Sequence, residues 1–130
     1  NLNAGHPQKL VYYGTSLSAG GAWARQLQAE LSQSYGDLIT VVNQAAGGKD
    51  SSWGVGNIAE RVLAEHPDTT FIEFSMNDAI QSRNIDVKQA KANLMKMIEM
   101  IRSGNPEGEI ILLTMNCQGG EAADRKADHP

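Results

Sequence analysis

The sequence predicts one three-layer α/β domain over residues 1–130, built on a mainly parallel sheet, and three observations carry that expectation. Short β-rich runs alternate with helical stretches of about ten to eighteen residues, the order that βαβ units produce. The fourth β-rich run, Ile110-Ile111-Leu112-Leu113, is apolar from end to end, as strands covered on both faces are. A chain of 130 residues is long enough for one hydrophobic core, and no internal repeat, low-complexity tract or linker divides it.

The elements follow in order. Lys9-Leu10-Val11-Tyr12-Tyr13 is a first strand, ending at Gly14. Residues 18–34 read as a helix, with Trp23, Leu27 and Leu31 on one stripe and a stop at Gly36. Leu38 to Val42 is a second strand; a polar loop, Asn43 to Ser52, leads to a helix over 55–65 that Pro67 closes. Thr70 to Phe74 is a third strand. The longest helix covers 86–103, with Ala90, Leu94, Met97, Ile98 and Ile101 at helical spacing before Gly104 and Pro106. Glu109 to Thr114 is the fourth strand.

Composition excludes several classes of function. Eleven Lys and Arg against fifteen Asp and Glu give a net charge of −4, which argues against a nucleic-acid partner or an anionic membrane surface. The apolar runs reach about five residues, against the roughly twenty that a membrane span needs. One cysteine, Cys117, rules out an internal disulfide, and His6, His66 and His129 lie too far apart in sequence to form a metal motif. The chain opens at Asn1 without Met or a signal-like stretch and stops in a polar run, as expected of a processed product or a fragment. No compartment follows from this.

In parallel α/β sheets ligands gather outside the carboxyl ends of the strands, so the loops after each strand come next. After the first strand, Gly14-Thr15-Ser16-Leu17-Ser18 puts Ser16 where strand turns into helix, with its hydroxyl presented at the sheet edge and amides nearby that favour negative charge. A serine in that place is more commonly only a helix cap. After the second strand, Gly47-Gly48 allows positive φ or close approach of backbone to ligand. Gly48-Lys49 is not a phosphate loop, because Asp50 stands where Ser or Thr is required; Gly54-Val55-Gly56 begins too far past its strand for a dinucleotide turn. After the third strand, Ser75-Met76-Asn77-Asp78 offers an amide, Asn77, able to donate to a developing oxyanion or simply to form an Asx turn.

Taken together the three loops have a family likeness. Gly14-Thr15-Ser16-Leu17 resembles the Gly-Asp-Ser-Leu block of the GDSL, or SGNH, hydrolases. Asn43 through Gly48 is similar to their second block, and Ser75-Met76-Asn77-Asp78 to their Gly-x-Asn-Asp block. The blocks keep their order, each after a successive strand, and the likeness runs from Lys9 to Asn116. Thr15 and Ser75 replace the usual Asp and Gly; both are small enough to be tolerated. The resemblance implies a flavodoxin-like α/β/α fold and a serine esterase with no metal or organic cofactor. It further implies Ser16 as nucleophile, and an oxyanion hole of the Ser16 N–H, the Gly48 N–H and the Asn77 amide. Its substrates would be small acyl esters, acetyl among them, of a carbohydrate or lipid.

A serine nucleophile needs a base, which the family supplies as a His with an Asp three residues before it. His129-Pro130 is the nearest match here, yet Lys126 stands three before, with Asp128 adjacent and Asp124 five back. Between Thr114 and His129 there is no room for a further strand and helix. Either the chain stops short of the last strand–helix unit, the reading the mismatch favours, or the tail folds back and His129 serves. His6 and His66 lie at the wrong end of the sheet. A sheet lacking that last unit would expose an apolar edge, so marginal stability or self-association is expected.

The remaining candidates are structural. Met95, Met97 and Met100 are expected to fill the core and its flank, Trp53 to line either the substrate pocket or the helix–sheet interface, and Cys117 to be incidental. Two other classes stay open: a ligand-binding module that keeps the Ser16–Gly48–Asn77 pocket without catalysis, and a phosphate or nucleotide binder using the same strand ends.

Overall fold

The computed structural model describes residues 2–114. Four parallel strands, β1 (Gln8–Gly14), β2 (Ile39–Asn43), β3 (Thr69–Glu73) and β4 (Glu109–Leu112), form one sheet in the order β2-β1-β3-β4. The helices between them are α1 (Ser16–Ala19), α2 (Ala22–Tyr35), α3 (Ser51–Arg61), α4 (Ser75–Asp78) and α5 (Val87–Gly104). Register aligns Gly14 with Glu73 and Tyr12 with Asn43, so the ends of β1, β2 and β3 emerge side by side.

Side chains alternate across the sheet and divide the core in two. Val11, Tyr13, Ile72 and Phe74 face Ile58 and Val62 of the α3 segment and Met97 and Ile101 of α5. Leu10, Tyr12 and Phe71 face Ala24 of α2, with Trp23, Leu27 and Leu31 packed against them. That is the three-layer arrangement the alternation of elements predicts. Gly54 makes the first layer close: a Cβ there would lie 2.9 Å from the Phe74 ring and 3.0 Å from the Met97 sulfur. Met97 is fully buried and Met100 packs beside it, whereas Met95 points to solvent.

Three expectations are corrected. The stretch read as one helix over 18–34 is two, broken at Gly20-Gly21: Gly21 is extended and opens α2, and it must be glycine there because a Cβ would collide with the Leu17 carbonyl. The helix expected from 55 begins at Ser51, since the Asp50 carboxylate caps it by accepting the Trp53 N–H at 3.1 Å. This places Gly54 and Gly56 inside a helix, where neither can form a nucleotide-binding turn. Finally, β4 ends at Leu112, and among the described residues it pairs with β3 alone. Ile111 and Leu112 are 38% and 45% exposed, so its apolar run is not covered on both faces there.

Candidate active site

The turn from β1 into α1 is fixed from behind. Gly14 lies against the backbone and side chain of Glu73 where no Cβ would fit. Thr15, fully buried, caps α1: its hydroxyl oxygen accepts the Leu17 N–H at 3.2 Å while its proton goes to Glu73 Oε2 at 2.7 Å. Ser16 follows as the first residue of α1 and is exposed. Its N–H therefore has no intrahelical acceptor.

The second loop is folded over that turn. Asn43, at the end of β2, donates from Nδ2 to the Ser18 carbonyl at 2.9 Å and accepts the Ala45 N–H at 3.1 Å. The Ala46 N–H donates to the Gly14 carbonyl at 2.9 Å. These bonds carry Gly47 to Ser16, close enough that a Cβ on Gly47 would sit 3.7 Å from Ser16 Cβ. Gly48 has φ +70°, a conformation that favours glycine. Its carbonyl accepts from Arg83 Nη2 at 2.7 Å, and Arg83 Nη1 also reaches Asp50 at 3.4 Å.

The third element is α4, a single turn where the sequence reads as a loop. Asn77 is buried on it and donates from Nδ2 to the Lys49 carbonyl at 2.6 Å. An amide NH2 has two protons, so this bond orients the group and leaves a second donor. Its neighbour Asp78 accepts the Ser51 N–H at 2.8 Å, and the Ser51 hydroxyl accepts from Asn93 Nδ2 at 2.9 Å. Burial pushes the Asp78 carboxyl above its ordinary pKa; the hydrogen bonds from Ser51 oppose that rise and the nearby charge of Asp50 adds to it.

Of the residues singled out in the sequence, Ser16 touches the 47–48 turn and Asn77 holds the far end of that turn through Lys49. His129 and Cys117 lie outside the described residues. His6 and His66 are exposed, one before β1 and the other before β3, at the amino ends of the strands. Trp53 packs beside Tyr13 with ring centres 5.8 Å apart, and Lys49 and Arg61 lie over its ring, so it belongs to the helix–sheet interface. Among the described residues no three His, Cys, Asp or Glu side chains gather to hold a metal ion, and no helix is long and apolar enough to cross a membrane. A groove of about 430 Å³ lies beside α4, between Phe74, Ser75, Asp78, Ile85, Leu94 and Leu112; Ser16 does not line it.

The sequence reading missed Glu73 and Arg83. Glu73 had a signal, a charge within an otherwise buried strand. Arg83 had none, because it acts on a backbone carbonyl far away in sequence.

Comparison with known proteins fits this geometry. A model of the GDSL-like lipase/acylhydrolase family matches residues 10–129. The solved lipase/acylhydrolase from Enterococcus faecalis is 28% identical with a TM-score of 0.70, over 81% of this chain and 55% of that one. TesA is 25% identical with a TM-score of 0.74, over 93% and 69%. A variant of an acetyl-xylooligosaccharide esterase from Geobacillus shares the fold at 20% identity and a TM-score of 0.78, over 94% and 66%. This chain thus spans between 55% and 69% of the length of these relatives. No curated protein matches it in sequence.

Proposed function

The chain belongs to the GDSL-like lipase/acylhydrolase family, and on that premise we propose that it is a serine esterase cleaving small acyl esters of a carbohydrate or lipid. Ser16 Oγ attacks the ester carbonyl while a histidine takes its proton. The carbonyl oxygen, now an oxyanion, is held by the Ser16 and Gly48 N–H groups and the second proton of the Asn77 amide. Collapse breaks the ester C–O bond, the histidine protonates the departing alcohol, and water then releases the acid from Ser16 by the same steps in reverse roles. Within residues 1–130, His129 is the candidate base.

The observation that carries this reading is the exposed Ser16 at the end of β1, against the Gly47-Gly48 turn whose next carbonyl is bound by Asn77. Acetyl is the first acyl group to test, since an acetyl-xylooligosaccharide esterase shares the fold. The alternative is a module that keeps the same pocket and binds esters reversibly.

A fluorophosphonate probe separates the two. The esterase should be labelled on the peptide holding Ser16, with labelling and p-nitrophenyl acetate turnover both lost in Ser16→Ala. Loss in His129→Ala as well would identify the base. Reversible ester binding with no covalent adduct would leave the binding module standing.

A further inference from the structure

We propose that Glu73 is a positioning residue that sets the nucleophile turn through the hydroxyls on both sides of Ser16; this rests on Ser16 being the nucleophile. Glu73 is buried, 4% exposed, at the end of β3. One oxygen, Oε2, accepts from the Thr15 hydroxyl at 2.7 Å, the Thr15 N–H at 3.2 Å and the Ser18 hydroxyl at 3.2 Å. The other, Oε1, is buried with no partner among the described residues.

That asymmetry is what points to function. A buried carboxyl oxygen left without a donor is unfavourable, and an apolar residue would fill the end of β3 without that cost. What Glu73 supplies instead is control of two protons. A hydroxyl has one proton, and those of Thr15 and Ser18 are both committed to Glu73. The Thr15 oxygen is then left with lone pairs for the Leu17 N–H, and neither hydroxyl is free to donate to Ser16 Oγ and blunt it as a nucleophile. The turn is thus held in one arrangement before substrate arrives, as catalysis by orientation requires.

The test compares Glu73→Ala, Glu73→Gln and Thr15→Val. The readouts are kcat and KM for p-nitrophenyl acetate per fluorophosphonate-titrated site, and amide hydrogen exchange at Thr15 and Leu17. Glu73→Ala should lower kcat on the order of tenfold to a hundredfold with KM little changed, the size of effect that misplaced reacting groups produce. Glu73→Gln keeps an acceptor for both hydroxyls and should recover most of that loss. Thr15→Val combined with Glu73→Ala should cost no more than Glu73→Ala alone, because both remove one network. Exchange at Leu17, and to a lesser extent at Thr15, whose N–H also donates to the Glu73 backbone carbonyl at 3.1 Å, should accelerate in Glu73→Ala more than along β1. Unchanged kcat per titrated site, full additivity with Thr15→Val, or exchange that rises evenly along β1 would each overturn the proposal. Should wild type neither label nor turn over, the esterase reading fails, and the exchange comparison still decides whether Glu73 holds the turn. If Glu73→Ala does not fold, Thr15→Val and Ser18→Ala take its place, and unchanged kcat in both overturns it.

Discussion

Replacing Asn77 by Ala removes two things at once, and the geometry lets them be separated. One amide proton is bound to the Lys49 carbonyl at 2.6 Å; the other is the proposed donor to the oxyanion. Loss of the first leaves a part-buried carbonyl short of a partner, worth about 1 kcal/mol of stability. At this chain length that is about 3–6 °C in Tm. Loss of the second falls on the transition state alone, where an oxyanion-hole donor is worth on the order of 10²–10³ in kcat, or about 2.7–4 kcal/mol. The expected phenotype is therefore a protein that melts a few degrees early, still labels with fluorophosphonate, and turns over p-nitrophenyl acetate at least a hundredfold more slowly with KM nearly unchanged. Asn77→Asp should be no better, since a carboxylate faces both the Lys49 carbonyl and the oxyanion with the wrong charge. Steady-state kinetics normalised to titrated sites, beside a thermal melt, make the comparison. A kcat within tenfold of wild type, or a loss confined to KM, would refute the assignment of Asn77 and reduce it to a loop tie.

Other outcomes follow from the same structure. The Asp78 carboxyl, pushed up by burial, binds a proton more tightly in the folded chain than in the unfolded one. Stability contributed by this group is therefore greatest below the ordinary carboxylate pKa of about 3.9 and falls as pH rises through the higher folded value; Asp78→Asn, which keeps an acceptor for the Ser51 N–H, should flatten that fall, and denaturation curves with identical pH slopes in both proteins would count against it. Gly54→Ala gains about 1 kcal/mol in helix propensity but drives a methyl into Phe74 and Met97 at about 1–3 kcal/mol, so chemical denaturation should show a net loss; a more stable variant would mean the α3–sheet contact is looser than described. At micromolar concentration the 130-residue chain should self-associate through β4, where Ile111 and Leu112 are exposed. Ile111→Lys should weaken that association in sedimentation velocity, whereas a monomeric wild type with a sharp, cooperative melt would refute it.

The two central strands, β1 and β3, were legible because burial dictates much of their composition. Thr69–Glu73 is buried at every position, and a run that must satisfy two apolar layers has little freedom in sequence. The three strand-end loops stood out for the opposite reason, since their polar and glycine residues break the apolar pattern; the structure gives several of them local tasks, among them the Thr15 and Asp50 caps and the positive φ of Gly48. The boundaries that slipped are those set by single contacts. Asp50 ends the second loop earlier than periodicity indicates because its carboxylate reaches the Trp53 N–H, and an extended Gly21, packed where the Leu17 carbonyl leaves no room for a Cβ, separates two helices that periodicity joins. Apolar periodicity also carries no information about what covers a strand, so the exposure of Ile111 and Leu112 could not be read from Ile110–Leu113. That the Asn77 amide is bound to the Lys49 carbonyl was not legible, because the partner is a backbone group in another loop.

The same point explains how these loops can hold a site at all. Loops are ordinarily the mobile part of an α/β domain, yet here each is bound to the next. The second is joined to the first through Asn43 to the Ser18 carbonyl and through the Ala46 N–H to the Gly14 carbonyl. The third is joined to the second through Asn77 to Lys49, Arg83 to Gly48 and Asp78 to the Ser51 N–H. Each bond contributes only about 0.5–1.5 kcal/mol, but they act in series across three strand ends that the sheet already holds in register. Electrostatic catalysis needs donors that do not have to reorganise when charge appears. Under the proposed mechanism a middle loop tied on both sides would meet that need with ordinary hydrogen bonds, and it seats Gly47-Gly48 between the Ser16 turn and the Lys49 carbonyl that Asn77 binds.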